Sequence, residues 1–252
     1  MTDAIVLCYH ALSPSWEAEL STTPERFSRQ LELLLARGYR GVTFSEAVQE
    51  PRGKTVAVTF DDAYRSVLEL AQPILQRLGL PATVFAPTEG IDAGTLAWPG
   101  IDQWIGGPHE RELEPMSWAQ LRSLAEQGWE IGSHTASHPH LTTLGEQQLQ
   151  DELIRSKAVC EERLGAPCES LAYPYGDVDA RVVAATGRAG YAAAGALPSR
   201  LGAADPLEWP RIGVYWADDE RRFRAKVSPA VRALRRSPAW SALDRARKLL
   251  GR

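Results

Sequence analysis

The stretch TVAVTF, residues 55–60, is followed at once by two adjacent carboxylates, Asp61 and Asp62. A run of apolar and β-branched residues of this length is typical of a strand buried on both faces, as in a parallel sheet. Two ionised carboxylates side by side repel each other, so the pair requires a nearby cation, a shared proton or open water. The stretch therefore predicts a buried strand that ends in a turn where something must offset the repulsion between the two carboxylates.

Similar apolar runs alternate with amphipathic helical segments along the whole chain. The sequence predicts strands at 4–9, 39–44, 55–61, 81–86, 129–133, 169–174, 190–194 and 209–214, and helices at 24–37, 65–78, 117–127, 145–164 and 178–188. Repeated strand–helix units indicate a parallel sheet covered by helices, and about seven or eight such units in one domain favour a barrel. The segment 87–116 shows no clear period, so we interpret it as a long binding loop.

The charge of the chain is unevenly distributed. The net charge over 252 residues is −4, but residues 226–252 carry eight basic residues and one acidic residue, which leaves −11 for the rest. The overall charge argues against general binding to nucleic acid. We predict a catalytic barrel at 1–225 and a basic amphipathic helical tail at 226–252. The tail either contacts an anionic membrane surface or packs on the acidic body of the domain.

Targeting and redox signals are weak. The apolar residues 4–12 follow no Lys or Arg, and no apolar run of 18 residues occurs, so we expect a cytoplasmic protein whose tail could reach the inner face of the membrane. Cys8, Cys160 and Cys168 form neither a C-x-x-C motif nor an even set, which argues against a disulfide framework or a cysteine zinc site. Cys8 lies within an apolar run and is interpreted as a small core residue.

A second strand-like segment is also followed by polar residues, here three histidines, in the sequence GWEIGSHTASHPHL at 128–141. Pro139 disfavours a helical conformation at His138, so a loop that folds back on itself is predicted to bring His134 and His138 together. The carboxyl ends of barrel strands meet at one rim, where these imidazoles would face the two aspartates. Two imidazoles and a carboxylate form a three-ligand set for catalytic zinc. The alternative is that these residues are solvated in exposed turns.

Three motifs resemble those of the polysaccharide deacetylase (NodB-homology) family, namely TFDD at 59–62, SHTASH at 133–138 and LAYPYG at 171–176. The segment VLCYHALS at 6–13 is similar to the exopolysaccharide-associated branch with an N-terminal Tyr-His strand, which resembles poly-N-acetylglucosamine deacetylases. The resemblance covers roughly residues 4–216. It implies an α/β fold, a distorted (β/α)7-8 TIM-like barrel.

The resemblance also implies a division of roles among the polar residues. Asp62, His134 and His138 would bind one divalent metal, usually zinc, while Asp61 would act as the general base. Metal-bound water is acidified, and a free carboxylate beside it takes up the proton as the water attacks the acetyl carbonyl. The cation would also offset the repulsion between the two aspartates.

The chain departs from the family pattern at two catalytic positions. Many members have an Arg in the third motif that orients the base, and a His late in the chain that protonates the leaving amine. Here the position of the Arg is Ala172, and no histidine follows His140. Because the last strand of the family is permuted to the amino terminus in the Tyr-His branch, His10 is the candidate general acid. Its alternative is a half-buried strand histidine. Arg211, in WPRIGV, is the candidate replacement for the missing Arg, and its alternative is an ordinary surface ion pair.

Aromatic residues are the predicted substrate contacts. Tyr175 occupies the position where the family uses a backbone N–H to hold the oxyanion and an aromatic ring to form the wall of the groove. Tyr173 and Trp98 are the other predicted contacts, since aromatic rings stack on sugars. The alternative is that these rings pack in the core.

The predicted function is metal-dependent hydrolysis of the N-acetyl amide of an N-acetylhexosamine-containing glycan. The substrate would be a polymer, an oligosaccharide or a lipid- or nucleotide-linked precursor. Two alternatives remain open. One is a non-catalytic, metal-containing glycan-binding or scaffold protein, which the missing Arg favours and the intact acidic and histidine motifs disfavour. The other is a related amidase for a small non-sugar amide, because a barrel specifies a site rather than a substrate.

Overall fold

The computed structural model describes residues 3–198, 200–201, 205–237 and 240. In these residues the strands are β1 (Asp3–Tyr9), β2 (Ala11–Leu12), β3 (Ser21–Thr22), β4 (Arg40–Val42), β5 (Lys54–Phe60), β6 (Thr83–Ala86), β7 (Glu130–Ser133), β8 (Ser170–Ala172), β9 (Ala193–Ala196), β10 (Trp209–Pro210) and β11 (Ile212–Gly213). The α-helices are α1 (Pro24–Ala36), α2 (Phe44–Gln49), α3 (Gln72–Leu78), α4 (Trp118–Glu126), α5 (Glu146–Leu164), α6 (Ala180–Arg188), α7 (Glu220–Lys226) and α8 (Pro229–Arg236).

Eight of these strands form a nearly closed parallel barrel, in the order β10-β9-β8-β7-β6-β5-β1-β11. β10 pairs with β9 and β11 pairs with β1, and only Arg211 separates β10 from β11 in the chain. The predicted strand 209–214 is therefore two short strands that close the barrel on either side of one residue. The barrel expected from the strand–helix alternation is confirmed.

All pairings in the barrel are parallel, so the carboxyl ends of the strands share one rim. Along β1 and β5 the register aligns Tyr9 with Phe60, which places the residues that follow both strands next to each other. β5 contributes Val56, Val58 and Phe60 to the main apolar core, and its buried pattern matches the prediction for a strand covered on both faces. The rim is therefore where the polar residues that follow each strand converge.

Local sequence signals explain where several helices begin and end. The Thr23 side chain accepts a hydrogen bond from the Arg26 backbone N–H, and Pro24 opens α1, as expected for a capped helix with an N-terminal proline. The predicted helix 65–78 is split, because a π-helical turn at Val67–Ala71 precedes α3 and Pro73 lies at its start. α2 was not predicted, because it is short and overlaps the predicted strand 39–44.

The beginning of the basic tail packs on the barrel. Arg232 of α8 is 3% exposed, and its guanidinium donates to Oδ1 of Asp3, at the start of β1, over 2.6 Å. α8 therefore contacts the end of the barrel opposite the rim. This contact agrees with the alternative in which the segment 226–252 packs on the domain, while the tail beyond residue 237, apart from residue 240, lies outside the described residues. Among the described residues, no helix has the length and apolar character needed to cross a membrane.

Candidate active site

The two aspartates lie at the turn that leaves β5 at the rim. The Asp61 backbone N–H donates to the Tyr9 carbonyl over 3.0 Å, which extends the pairing with β1 by one residue. The chain then turns sharply, since Asp62 has φ 70° and Ala63 has φ 56°. Both aspartates are only 2% exposed. The turn therefore sends the two carboxylates in different directions although both are buried.

Asp61 forms a bidentate ion pair with Arg211. The two terminal nitrogens of Arg211 donate to the two carboxylate oxygens over 2.6 and 2.8 Å, and one of them also donates to the Thr59 hydroxyl. Burial by itself would raise the pKa of Asp61, but the guanidinium overrides it and holds that pKa below its usual range. Gly195 makes room for the arginine, because a Cβ there would lie 2.7 Å from Cδ of Arg211. The pair keeps Asp61 ionised.

Asp62 faces the two histidines. Its Oδ1 lies 3.4 Å from Nε2 of His134 and 3.4 Å from Nε2 of His138, and it has no hydrogen-bond partner. Burial, followed by the neighbouring Asp61 charge, raises the pKa of Asp62 well above its usual value. A buried carboxylate is costly without a cationic partner, so this arrangement favours the binding of a cation by the three side chains.

The two imidazoles are suited to bind such a charge. Nδ1 of His134 donates to the Ala172 carbonyl over 2.8 Å, which leaves Nε2 as the unprotonated nitrogen that faces Asp62. Burial lowers the pKa of His134, and it lowers that of His138 to about 2, so both rings are neutral near pH 7. One ligand atom from each of the three residues lies within 4.8 Å of the others. The donor set therefore fits a divalent cation.

His10 lies beside Asp61 at the same rim. Its ring, the Cys8 thiol and the Asp61 carboxylate each offer an atom within 4.8 Å of the others. His10 is 9% exposed, Nδ1 has no hydrogen-bond partner, and burial lowers its pKa to about 4. The Cys8 thiol donates to Oδ2 of Asp61 over 3.4 Å. Cys8 is fully buried in the core, as interpreted, and its spacing of two from His10 at the end of β1 was a signal that both side chains lie on one face.

An open cleft of about 450 Å³ connects these groups to solvent and is partly lined by aromatic rings. Trp98, from the long loop, stacks on the ring of His138 with centroids 4.2 Å apart. Tyr175 meets the same ring edge-on at 4.7 Å and stacks on His140 at 3.9 Å. Tyr215 also lines the cleft and was not predicted. The interpretation of 87–116 as a binding loop is thus consistent with Trp98 beside the site.

Tyr173 does not reach the cleft, so the predicted substrate contact of Tyr173 is wrong. Its ring is fully buried, and its hydroxyl donates to the Leu207 carbonyl over 2.6 Å. Its backbone N–H is engaged as well, because it donates to Gly195 in the neighbouring strand over 3.1 Å. The residue continues the pairing of β8, so the chain turns toward the rim only after Tyr173.

Strained backbone is concentrated around the cleft. Among the described residues, six non-glycine residues have positive φ, and five of them belong to the three rim loops: Asp62, Ala63, Thr135, His138 and Tyr175. Each such conformation costs on the order of 1–3 kcal/mol and persists only where the surroundings enforce it. Clustering of this strain at one rim is typical of a functional site.

Comparisons with known proteins point to one family. The sequence model of the polysaccharide deacetylase family matches residues 48–194, more than half of the chain. The protein YxkH of Bacillus subtilis is 28% identical over 192 residues, which cover 74% of this chain and 61% of that protein. The poly-beta-1,6-N-acetyl-D-glucosamine N-deacetylase of Staphylococcus epidermidis is 25% identical over 170 residues, which cover 62% of this chain and 54% of that protein. The chain thus spans less than two thirds of the length of these relatives.

A solved structure shares the fold over almost its whole length. IcaB from Ammonifex degensii superposes with a TM-score of 0.72 at 24% identity, covering 94% of this chain and 98% of that one. This similarity supports the barrel architecture described above.

Proposed function

This chain belongs to the polysaccharide deacetylase family, and we propose that it removes N-acetyl groups from an N-acetylhexosamine-containing glycan or glycan precursor. The observation that carries the proposal is the division between two adjacent carboxylates. Asp61 is paired with Arg211, whereas Asp62 faces two neutral imidazoles. One carboxylate is thus available as a base and the other as a ligand, in a cleft open to solvent.

Asp62, His134 and His138 would hold one divalent cation, for which we propose Zn²⁺ because it is commonly bound by imidazole nitrogen and carboxylate oxygen. When bound, the cation would acidify water and polarise the acetyl carbonyl. Asp61 would take the proton of the attacking water. Arg211 would keep this base ionised and fix the direction of its oxygens, since a bidentate pair restricts both. Arg211 would therefore replace the arginine missing from the third motif.

His10 would deliver a proton to the leaving nitrogen. Burial lowers the pKa of His10 to about 4, so the proton that it delivers would be the one that Asp61 takes from the attacking water and passes to the neighbouring His10 ring. The backbone N–H of Tyr175 is the proposed donor to the oxyanion, and the rings of Tyr175 and Trp98 are the proposed walls for a sugar. Tyr175 is 39% exposed, so its ring is accessible to a ligand in the cleft.

The chemical form of the substrate is a further part of the proposal. A polymer, an oligosaccharide or a lipid- or nucleotide-linked precursor all carry the amide that this site would hydrolyse. Contact of the basic segment 226–252 with an anionic membrane would favour a lipid-linked precursor. Flotation of the full chain with vesicles that contain anionic lipid tests this contact, and equal recovery with neutral vesicles would contradict it.

The decisive experiment is an acetate-release screen with the metal content measured in the same preparation. Free, nucleotide-linked, lipid-linked and polymeric N-acetyl sugars are compared, with a cyclic non-sugar amide as the competing class. We expect acetate release from a sugar substrate and its loss in Asp61→Asn, with the metal retained. The exposed Asp151→Asn is the matched control, because it removes the same charge outside the cleft. Normal turnover by Asp61→Asn would contradict the mechanism, and turnover of the cyclic amide alone would contradict the substrate class.

A further inference from the structure

We propose that Glu152 of α5 is a positioning residue for the metal loop, defined as residues 134–138, and that it sets the affinity of this site for its cation. The inference rests on the proposed function, because the cation is the one that this function requires. Sequence reasoning did not single out Glu152. The available signal was an acidic residue beside Leu149, Leu153 and Ser156, which are buried positions of α5.

The Glu152 carboxylate binds the middle of the metal loop through three hydrogen bonds. One oxygen accepts from the backbone N–H groups of Ala136 and Ser137 over 2.9 and 3.0 Å, and the other accepts from the Ser137 hydroxyl over 2.7 Å. Glu152 is only 8% exposed. Two successive N–H groups that converge on one oxygen form an anion-binding concavity, and hydrogen bonds to a charged acceptor are stronger than neutral ones.

These bonds lie between two strained residues. Thr135 has φ 67° and His138 has φ 60°, a region that residues with a Cβ rarely adopt. The backbone N–H groups of Thr88 and Glu89, which follow β6, donate to the Thr135 and Ala136 carbonyls over 3.1 and 2.9 Å. The loop is thus clamped by two separate elements, and Glu152 supplies a charged side chain to that clamp.

The two ligand histidines depend on this clamp to different degrees. His134 is anchored independently, because its backbone N–H donates to the Ala86 carbonyl over 2.8 Å and its Nδ1 donates to Ala172. Nδ1 of His138 has no hydrogen-bond partner, so its position follows the loop backbone and the stacking with Trp98. We therefore infer that Glu152 acts on the site mainly through His138.

An ordinary ion pair does not account for Glu152. Arg155 lies 3.7 Å from Oε1 of Glu152 but only 2.7 Å from Oε1 of Glu89, and its side chain is 56% exposed. Exposed pairs of this kind contribute little to stability. The short, buried contacts of the carboxylate are those to the metal loop.

Metal affinity measured on the full chain tests the proposal. Zn²⁺ dissociation constants are obtained by chelator competition for wild type, Glu152→Gln, Glu152→Ala and the control Asp151→Asn, which neighbours Glu152 on the same helix but is exposed. We expect Glu152→Ala to weaken Zn²⁺ binding ~10- to 100-fold, the range known for groups that orient metal ligands. Glu152→Gln should weaken binding less, because its amide oxygen still accepts from both N–H groups. Asp151→Asn should bind like wild type.

Thermal unfolding of the metal-free proteins separates positioning from stability. A purely structural role would lower Tm and leave the dissociation constant unchanged, so wild-type affinity in Glu152→Ala would overturn the proposal. If Glu152→Ala does not fold, amide hydrogen exchange and Zn²⁺ affinity are measured on Glu152→Gln, and this variant then tests the proposal. Faster exchange at the amides of Ala136 and Ser137 together with weaker Zn²⁺ binding supports the proposal, and unchanged values of both overturn it.

The same measurements distinguish this inference from the proposed function. Wild-type protein that binds Zn²⁺ but releases no acetate from any sugar contradicts the function alone, because the affinity series needs no substrate. Wild-type protein that binds no divalent cation overturns the inference together with the ligand set.

Discussion

Replacement of Arg211 by methionine tests the role given to the Asp61–Arg211 pair. Methionine keeps much of the length and apolar volume of the side chain but removes the guanidinium. The Arg211 side chain is 0% exposed and that of Asp61 is 2% exposed, so no solvent replaces the lost partner. Asp61 would then be a buried carboxylate beside Asp62 with no arginine, and it would be protonated at neutral pH.

The expected loss of stability and activity in Arg211→Met follows from this burial. Removal of one partner of a buried ion pair costs about 3–5 kcal/mol, so Arg211→Met should lower the free energy of unfolding by that amount at pH 7. Loss of an ionised base should lower kcat/KM by ~10²- to 10⁴-fold, the range of general base catalysis. Arg211→Lys should be intermediate, because it restores a charge but not the two parallel hydrogen bonds.

The contribution of the Asp61–Arg211 pair to the free energy of unfolding should depend on pH in a definite direction. The pKa of Asp61 in the folded protein is below the value of about 3.9 in an unfolded chain, so the pair stabilises the fold above that value and loses its contribution as the pH falls toward the folded pKa. In Arg211→Met, where Asp61 is protonated in the folded protein, stability should instead rise as the pH falls from 7 toward about 4, because protonation of Asp61 on folding then costs less. The stability difference between wild type and Arg211→Met should therefore be largest at pH 7 and should narrow steadily as the pH falls, above about pH 4 through the variant and below it through wild type.

Urea unfolding at several pH values and acetate-release kinetics measure these two effects. Wild-type kcat/KM in Arg211→Met would refute the idea that the pair maintains the base. An unchanged free energy of unfolding at pH 7 would refute the description of the pair as buried and mutually dependent.

Three further predictions concern the metal, the acid and the end of the barrel opposite the rim. Asp62→Ala should lose bound metal in elemental analysis of the purified protein, and full retention would remove Asp62 from the ligand set. His10→Ala should keep the metal but lower kcat for acetate release by ~10²-fold or more, as expected for a general acid, and undiminished turnover would exclude that role. Arg232→Met removes the arginine partner of Asp3, which keeps only the hydrogen bond from the Tyr39 hydroxyl, and should lower the free energy of unfolding by ~1–3 kcal/mol in urea. The exposed Arg224→Met is its control, with an expected change below about 1 kcal/mol.

The secondary structure was largely predictable because its signals are local. The strand at β5 follows from a continuous apolar run, and α1 follows from its cap, its proline and its apolar stripe. The short helix α2 was missed because six residues do not establish a period, although Thr43 and Glu46 form a capping box. The long segment 87–116 was correctly separated from the regular elements.

The site was predictable in part. Asp61, Asp62, His134 and His138 each follow a strand, and the rule that parallel strands share a rim is sufficient to bring them together. Thr59 and Asp61 also lie on one side of β5, as strand alternation requires, since both contact Arg211. Their catalytic roles remain predictions that the experiments above test.

Long-range packing decided the remaining features. Tyr173 and Tyr175 are two residues apart in the sequence, and only the pairing of β8 with β9 determines that the first is buried and the second reaches the cleft. The sequence places Glu152 beside the buried positions of α5, but only the packing of α5 behind the metal loop determines what its carboxylate contacts. Composition and periodicity cannot reveal such contacts, because they depend on the relative position of separate elements.

By itself the sequence determined the alternation of strands and helices, the barrel class and the residues placed at the rim, because these depend on local periodicity and on the parallel direction of the strands. The tertiary structure alone decided how the barrel closes. β10 and β11 join its two edges with one residue between them, and this closure places Arg211 against Asp61, 150 positions earlier in the chain. A contact at that sequence separation is set by the fold as a whole, since no local interaction connects the two residues.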